Sequence, residues 1–133
     1  MINNWEATGI ECTGDQLVTF AERAKELGIE MLVMDDGWFG VRNCDNCSLG
    51  DWYVNENKLK GGLSKLIERI KGLGLKFGIW YEPEMISPDS DLYRAHPDWC
   101  IHVEGRERSI GRHQYVLDMT RADVRDNIFT KVR

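Results

Sequence analysis

The sequence has no long hydrophobic run and no excess of positive charge. Its apolar stretches fall far short of the roughly 20 residues that a membrane-spanning helix needs. It also does not begin with a basic segment followed by an apolar core, so we expect no signal peptide. Lys and Arg number 17 against 22 Asp and Glu, giving a net charge of −5, which argues against nucleic-acid and anionic-membrane partners. These features predict a soluble, cytoplasmic protein.

Cysteine is scarce, and its spacing does not complete a metal site. The four cysteines include one close pair, Cys44 and Cys47. A structural zinc site would need a second pair of ligands, and the remaining cysteines and the three histidines do not have that spacing. A thioredoxin-like pair would begin a helix, whereas this pair lies in a long polar loop. We therefore expect reduced loop cysteines rather than metal or redox chemistry, and no cofactor.

Helical and strand patterns alternate along the 133 residues, which suffice for one domain core. Apolar residues at helical spacing predict helices at 15–27, 63–73 and 118–133, and a further short helix is expected to be capped within residues 87–89. Short apolar runs predict strands at 2–6, 29–34 and 75–81. A hairpin is expected around Gly105. Glycine closes each of the first two helices, at Gly28 and Gly74, directly before a strand. This alternation predicts an α/β fold with a parallel sheet.

Two adjacent carboxylates, Asp35 and Asp36, end the second of these strands in the segment LVMDDGWFG (residues 32–40). Burial opposes two neighbouring charges, so they are expected to emerge where a polar ligand can reach them. Gly37 permits the bend that would turn both toward one ligand. The alternative is a solvated turn without a binding role.

Five tryptophans suggest which ligand that is. Indole faces cover the apolar patches of a sugar ring, and carboxylates accept strong hydrogen bonds from its hydroxyls. Trp5 and Trp80 lie near strand ends, where a core role and a sugar-binding role are equally plausible. Trp52 and Trp99 are expected in the core.

Glu82 and Glu84 form a second carboxylate pair, just after the strand at 75–81. Glycoside hydrolysis usually needs two carboxyl groups, about 5–5.5 Å apart for retention and about 6.5–9.5 Å apart for inversion. Residue types alone do not rank Glu82 and Glu84 against Asp35 and Asp36 as catalysts or as binders.

Several motifs in register closely resemble glycoside hydrolase family 36, the melibiase-like α-galactosidases. They are residues 2–7 (INNWEA), 32–40 (LVMDDGWFG), 48–52 (SLGDW), 80–85 (WYEPEM), 87–93 (SPDSDLY), 96–99 (HPDW) and 111–112 (GR). The resemblance covers essentially the whole chain. It implies a partial (β/α)8 TIM barrel, in which residues 1–133 are a single partial domain holding roughly the first three β/α units of about 250 residues. The family's preceding β-sandwich and its following β domain are absent from the sequence.

The resemblance also assigns roles to individual residues. It makes Asp35 and Asp36 binders of galactose hydroxyls on the O4/O6 side, with Trp80, Arg112 and Trp5 lining the same subsite. Glu82 and Glu84 then become structural residues. His113 stands next to Arg112 where the family commonly has asparagine, which bears on how Arg112 is held.

No catalytic residue of the family is expected among residues 1–133. The nucleophile lies in a Lys-x-Asp motif at the end of the fourth strand and the acid/base aspartate follows later, so both are expected beyond Arg133. Asp118 does not fit, because Val116 stands where that lysine should be.

Two functions follow as hypotheses. The first is a retaining α-galactosidase acting on melibiose- and raffinose-type sugars without a metal, whose 133-residue part is inactive alone. Transfer activity and N-acetylgalactosamine specificity stay open within that class. The alternative is a non-catalytic sugar-binding module, or one that self-associates through the exposed edges of a half-barrel.

Overall fold

The computed structural model describes all 133 residues, and they form two compact units. The first unit comprises residues 1–39 and 54–81, and the second comprises residues 40–53 and 82–133. None of the helices combines the length and the apolar character that crossing a membrane requires.

The first unit is built on a three-stranded parallel sheet of β1 (Ile2–Asn3), β2 (Met31–Met34) and β3 (Lys76–Ile79). The order is β1-β2-β3, so β2 has a neighbour on each side. Leu32 and Met34 of β2 are fully buried, whereas Met31 and Val33 between them are half-buried. The predicted parallel sheet is confirmed.

Helices α1 (Trp5–Thr8), α2 (Gly14–Glu26) and α3 (Gly62–Gly72) complete this unit. A capping box starts α2, because the Thr13 hydroxyl accepts the Gln16 N–H while the Gln16 side chain accepts the Thr13 N–H. α2 packs against β2 and α3, and α3 packs against β3. The two long helices therefore lie within one residue of their predicted limits.

The second unit contains a small antiparallel sheet of β4 (Met85–Ile86) and β5 (Tyr115–Val116), which the sequence did not predict. It also contains α4 (Asp91–Ala95), a 3₁₀ turn (Pro97–Trp99) and α5 (Ala122–Val132). Its core contains buried apolar side chains, Leu49, Ile86, Trp99, Leu117, Val124 and Ile128, together with the buried polar side chains of Arg42 and Gln114.

Four local predictions were wrong. The third long helix begins at Ala122 rather than at residue 118. The first strand ends at Asn3, and Trp5 begins a helix, because the Asn3 side chain accepts the Trp5 N–H and turns the chain. Ser90, rather than residues 87–89, caps α4 by accepting the Tyr93 N–H. No hairpin forms at Gly105, and a tight turn instead brings Gly111 opposite Gln114.

Cys44 and Cys47 are joined by a disulfide, so the prediction of a reduced pair was wrong. The loop brings the two Cα atoms to 5.7 Å, a separation that a disulfide can span. Cys12 and Cys100 are buried free thiols, and burial raises the pKa of each above its ordinary range.

Candidate functional site

Asp35 and Asp36 lie directly after β2, at the carboxyl end of the parallel sheet. Asp35 is half-buried and Asp36 is 6% exposed. The chain then turns at Gly37, whose φ is 104°. A side chain there would collide with the backbone of Ile10, so the turn after the two carboxylates requires glycine.

The Asp35 carboxylate is held on both oxygens. Asn3 donates from Nδ2 to Oδ2 at 2.5 Å, and the Asp36 N–H donates to Oδ1 at 2.8 Å. The Asp35 N–H in turn donates to Oδ1 of buried Asn4 at 2.8 Å. The end of β1 therefore fixes both the backbone and the side chain of Asp35.

Trp80 follows β3, the strand next to β2. The Trp80 backbone N–H donates to the Met34 carbonyl at 2.8 Å, and the Trp80 backbone carbonyl accepts the Trp38 Nε1–H at 3.0 Å. The rings of Trp80 and Phe39 stack with their centroids 6.4 Å apart and an interplanar angle of 16°. Trp80 is half-buried, so this packing orients the indole and leaves part of it accessible.

Trp5 is the most exposed of the five tryptophans, at 40%. The Trp5 backbone N–H donates to Asn3 Oδ1 at 2.7 Å. Trp52 and Trp99 are buried in the core as expected, and Trp38 is buried as well. Trp5 and Trp80 are thus the indoles left with accessible surface beside the sheet's carboxyl end.

Arg112 belongs to the second unit, where it pairs with Glu82. Its Nη2 lies 3.2 Å from Oε1 of Glu82, whose side chain is only 18% exposed. Arg112 and His113 both adopt left-handed backbone angles, with φ of 50° and 57°. Glu84 is exposed, and its carbonyl accepts the Leu117 N–H. Glu82 and Glu84 therefore both make contacts that hold neighbouring segments.

Sequence reasoning missed three residues that shape the Asp35 turn: Asn3, Asn4 and Lys58. The Lys58 ammonium donates to the Ile10 carbonyl at 2.8 Å and to the Gly37 carbonyl at 3.1 Å, which joins two loops of the first unit. The asparagines carried a usable signal, because they end a strand that neighbours β2. Lys58 carried none, since its partners lie 48 and 21 residues away.

The first unit therefore offers the Asp35 carboxylate, held in a fixed orientation, together with two accessible indole faces. This combination suits a ligand with several hydroxyls and apolar C–H surface. The expectation that both carboxylates escape burial was wrong for Asp36, which is 6% exposed. No three side chains of the His, Cys, Asp or Glu type come together in a way that could hold a metal ion.

The sequence model of the Melibiase family matches residues 1–133. The chain is 57% identical over 132 residues to the bifunctional alpha-galactosidase/sucrose kinase AgaSK of Mediterraneibacter gnavus. This alignment covers 99% of the present chain and 14% of AgaSK. The chain is also 55% identical to alpha-galactosidase AgaA of Geobacillus stearothermophilus, covering 99% and 18% respectively.

Solved structures of both proteins have a closely similar fold. The galactosidase domain of AgaSK matches with a TM-score of 0.94 over 98% of this chain and 18% of that chain. A variant of AgaA in complex with raffinose also gives 0.94, at 55% identity and the same coverage. The chain spans less than a fifth of the length of these relatives.

Proposed function

The chain belongs to the melibiase family, and from that membership we propose that it forms the first three β/α units of the (β/α)8 catalytic barrel of a retaining α-galactosidase. Residues 1–133 would be one partial domain of that barrel. The whole enzyme would hydrolyse terminal α-D-galactosyl residues of melibiose- and raffinose-type sugars in the cytoplasm. The observation that carries this proposal is the position of Asp35 and Asp36 at the carboxyl end of β2, where ligands bind in such folds.

The two aspartates are proposed to bind the galactose hydroxyls on the O4/O6 side. Support comes from their adjacency and from the two donors that orient Asp35. A hydrogen bond from a hydroxyl to a carboxylate contributes about 1.5–3 kcal/mol, more than one to a neutral acceptor. Such bonds depend on hydroxyl geometry, so they favour galactose over its C4 epimer, glucose.

Trp80 and Trp5 are proposed to line the same subsite as the aspartates, and Arg112 is proposed, from the family resemblance, to bind galactose. The partial exposure of Trp80 and Trp5 supports a role for their indole faces against the sugar ring. Arg112 would donate to a sugar hydroxyl, and its pairing with Glu82 would hold the guanidinium in place. Its role depends on the resemblance more than that of the aspartates does.

Chemistry itself is not expected from these 133 residues alone. No Lys-x-Asp motif occurs among them, so the nucleophile that the family places on its fourth strand has no counterpart. We expect no turnover of a nitrophenyl α-galactoside by the 133-residue chain. Hydrolysis that Asp36→Ala abolishes would contradict this expectation.

Binding is tested by titrating the chain with galactose and with glucose, followed by calorimetry or by NMR. We expect galactose to bind more tightly, and Asp35→Asn or Asp36→Asn to weaken it by roughly tenfold or more, since each removes a charged acceptor. Asp126→Asn, which makes the same charge change on exposed helix α5, is the matched control and should bind normally. Equal affinity for both sugars, or normal binding by the two aspartate variants, would contradict the proposal.

A second candidate, a self-associating module, is supported by the edges of the sheet. β1 and β3 each pair on one side only, which leaves a row of backbone groups available to another strand. No residue of β3 is fully buried, and Ile79 is 39% exposed. The partner that fits these edges is a second copy of the chain.

A further inference from the structure

We propose that Asn3 is a positioning residue of the sugar site, which orients the Asp35 carboxylate and fixes it relative to Trp5. This role rests on the proposed function, because Asp35 and Trp5 are its binding residues. Asn3 itself is not proposed to touch the sugar.

Asn3 uses both ends of its side-chain amide on this site. Nδ2 donates to Asp35 Oδ2 at 2.5 Å, across 32 residues of sequence, and Oδ1 accepts the Trp5 N–H at 2.7 Å. One planar group thereby connects the carboxylate at the end of β2 with the first turn of α1. A shift of Asp35 or Trp5 would strain its own hydrogen bond to the Asn3 side chain.

The amide is chemically suited to this position because its two ends differ. An amide carries one acceptor oxygen and one donor nitrogen, and here each faces the group it complements. A carboxylate of the same shape would accept from Trp5 but would face Asp35 with a second negative charge. Alanine would leave both partners without their side-chain bond.

Asn4 makes the contrast clear. It is buried, accepts the Asp35 backbone N–H through Oδ1 and donates from Nδ2 to the Thr8 hydroxyl at 2.9 Å. Asn4 therefore holds the backbone, whereas exposed Asn3 holds the carboxylate that a ligand would meet. Changing Asn3 should accordingly alter the Asp35 carboxylate and the first turn of α1, while buried Asn4 continues to hold the backbone at Asp35.

The decisive comparison is between Asn3→Asp and Asn3→Ala in the 133-residue chain. At about pH 7.5 we expect Asn3→Asp to weaken galactose binding by roughly tenfold or more, because two facing carboxylates repel each other. Lowering the pH to about 5 favours protonation of one of the two carboxyls, because each charge opposes the other, and the proton restores a donor between them, so part of the lost affinity should return. Asn3→Ala has no group to protonate and should bind weakly at both pH values. Asn43→Asp, an exposed site in the second unit, controls for the added charge.

A measurement without sugar decides the inference independently. The Trp5 and Asp36 amides donate to Asn3 and Asp35 respectively, so their NMR shifts should move together between about pH 5 and 7.5 in Asn3→Asp and not in Asn3→Ala. The role of Asn3 is overturned if the Trp5 and Asp36 amide shifts of Asn3→Asp equal those of the native chain. It is also overturned if Asn3→Asp binds galactose with native affinity at about pH 7.5. If the unmodified chain binds no galactose, the proposed function fails, and the amide shifts still decide whether Asn3 holds Asp35 and Trp5.

Discussion

At the scale of single residues, the donors that hold Asp35 are neutral. The Asn3 amide and the Asp36 N–H orient the carboxylate without cancelling its charge. Arg112, by contrast, is paired with the carboxylate of Glu82. A charged acceptor forms stronger hydrogen bonds than a neutral one, so neutral support keeps Asp35 effective toward a hydroxyl ligand.

Tyr81, next to Trp80, provides a test through its ionisation. Burial raises the pKa of the Tyr81 phenol from 10.0 to about 12. Because the folded pKa is the higher one, the neutral phenol stabilises the fold fully below about pH 10, and this contribution is lost as the pH rises through about 12. We expect the urea midpoint of the native chain to fall more steeply between about pH 10 and 12 than that of Tyr81→Phe.

Ultraviolet titration of the phenols checks the assignment of that ionisation directly. The native chain should show a late ionisation near pH 12 that Tyr81→Phe removes. Tyr53→Phe is the control: partial desolvation and the nearby Asp51 and Asp91 also raise the pKa of the Tyr53 phenol, so its removal should delete a separate ionisation and leave the step near pH 12 in place. Loss of that step in Tyr53→Phe instead would contradict the prediction.

At the scale of elements, the buried carboxylate of Asp51 accepts hydrogen bonds from backbone N–H groups at the start of α4. Asp51 is 5% exposed and accepts the N–H groups of Asp91 and Leu92 at 3.0 and 3.1 Å. Ser90 accepts the next one, from Tyr93. Burial raises the pKa of the Asp51 carboxyl, and the two N–H donors oppose that rise.

We therefore expect Asp51→Ala to destabilise the chain by about 1–3 kcal/mol, because two donors at the start of a helix lose their acceptor. Urea unfolding followed by circular dichroism measures this change. Asp91→Ala is the matched control, at the first residue of α4. It removes an exposed ion pair with Arg94 and should lower the free energy of unfolding by less than about 1 kcal/mol. An equal loss in the two variants would show that the buried acceptor contributes nothing special.

Local pattern was sufficient to predict the longer elements. Helices α2 and α3 have apolar residues at helical spacing and glycine at or shortly beyond their ends. The short apolar run of β2 lies between them, and β3 follows α3 directly after Gly74 and Leu75. Trp5 was placed in a strand because nothing local announces a helix of one turn. The start of that turn is held by a hydrogen bond from the Trp5 N–H to the Asn3 side chain, which a periodicity argument does not contain.

Part of the candidate site could be predicted for the same reason, and part could not. The order of strand and loop was enough to locate Asp35, Asp36 and Trp80 at the sheet's carboxyl end. The groups that hold them come from distant positions: Asn3 reaches Asp35 across 32 residues, and Lys58 reaches Ile10 across 48. Such pairings arise from the packing of elements, so no spacing within one segment indicates them.

At the scale of the whole molecule, the chain makes up less than a fifth of the relatives it matches. Its three-stranded sheet has two open edges, β1 and β3. An open, apolar edge is a template for pairing with another strand unless charge or cover prevents it. These open edges therefore predict that the chain associates with itself in solution.

We expect the 133-residue chain to form dimers or larger species as its concentration rises, because the open edges of β1 and β3 can pair with those of a second copy. Ile79→Lys should shift the population toward monomer, since Ile79 is 39% exposed on edge strand β3 and a lysine there opposes edge pairing. Light scattering coupled to size exclusion measures both. Val132→Lys, on helix α5 and 62% exposed, adds the same charge away from the sheet and should leave association unchanged. A native chain that stays monomeric at every concentration would exclude self-association and leave sugar binding as the function to test.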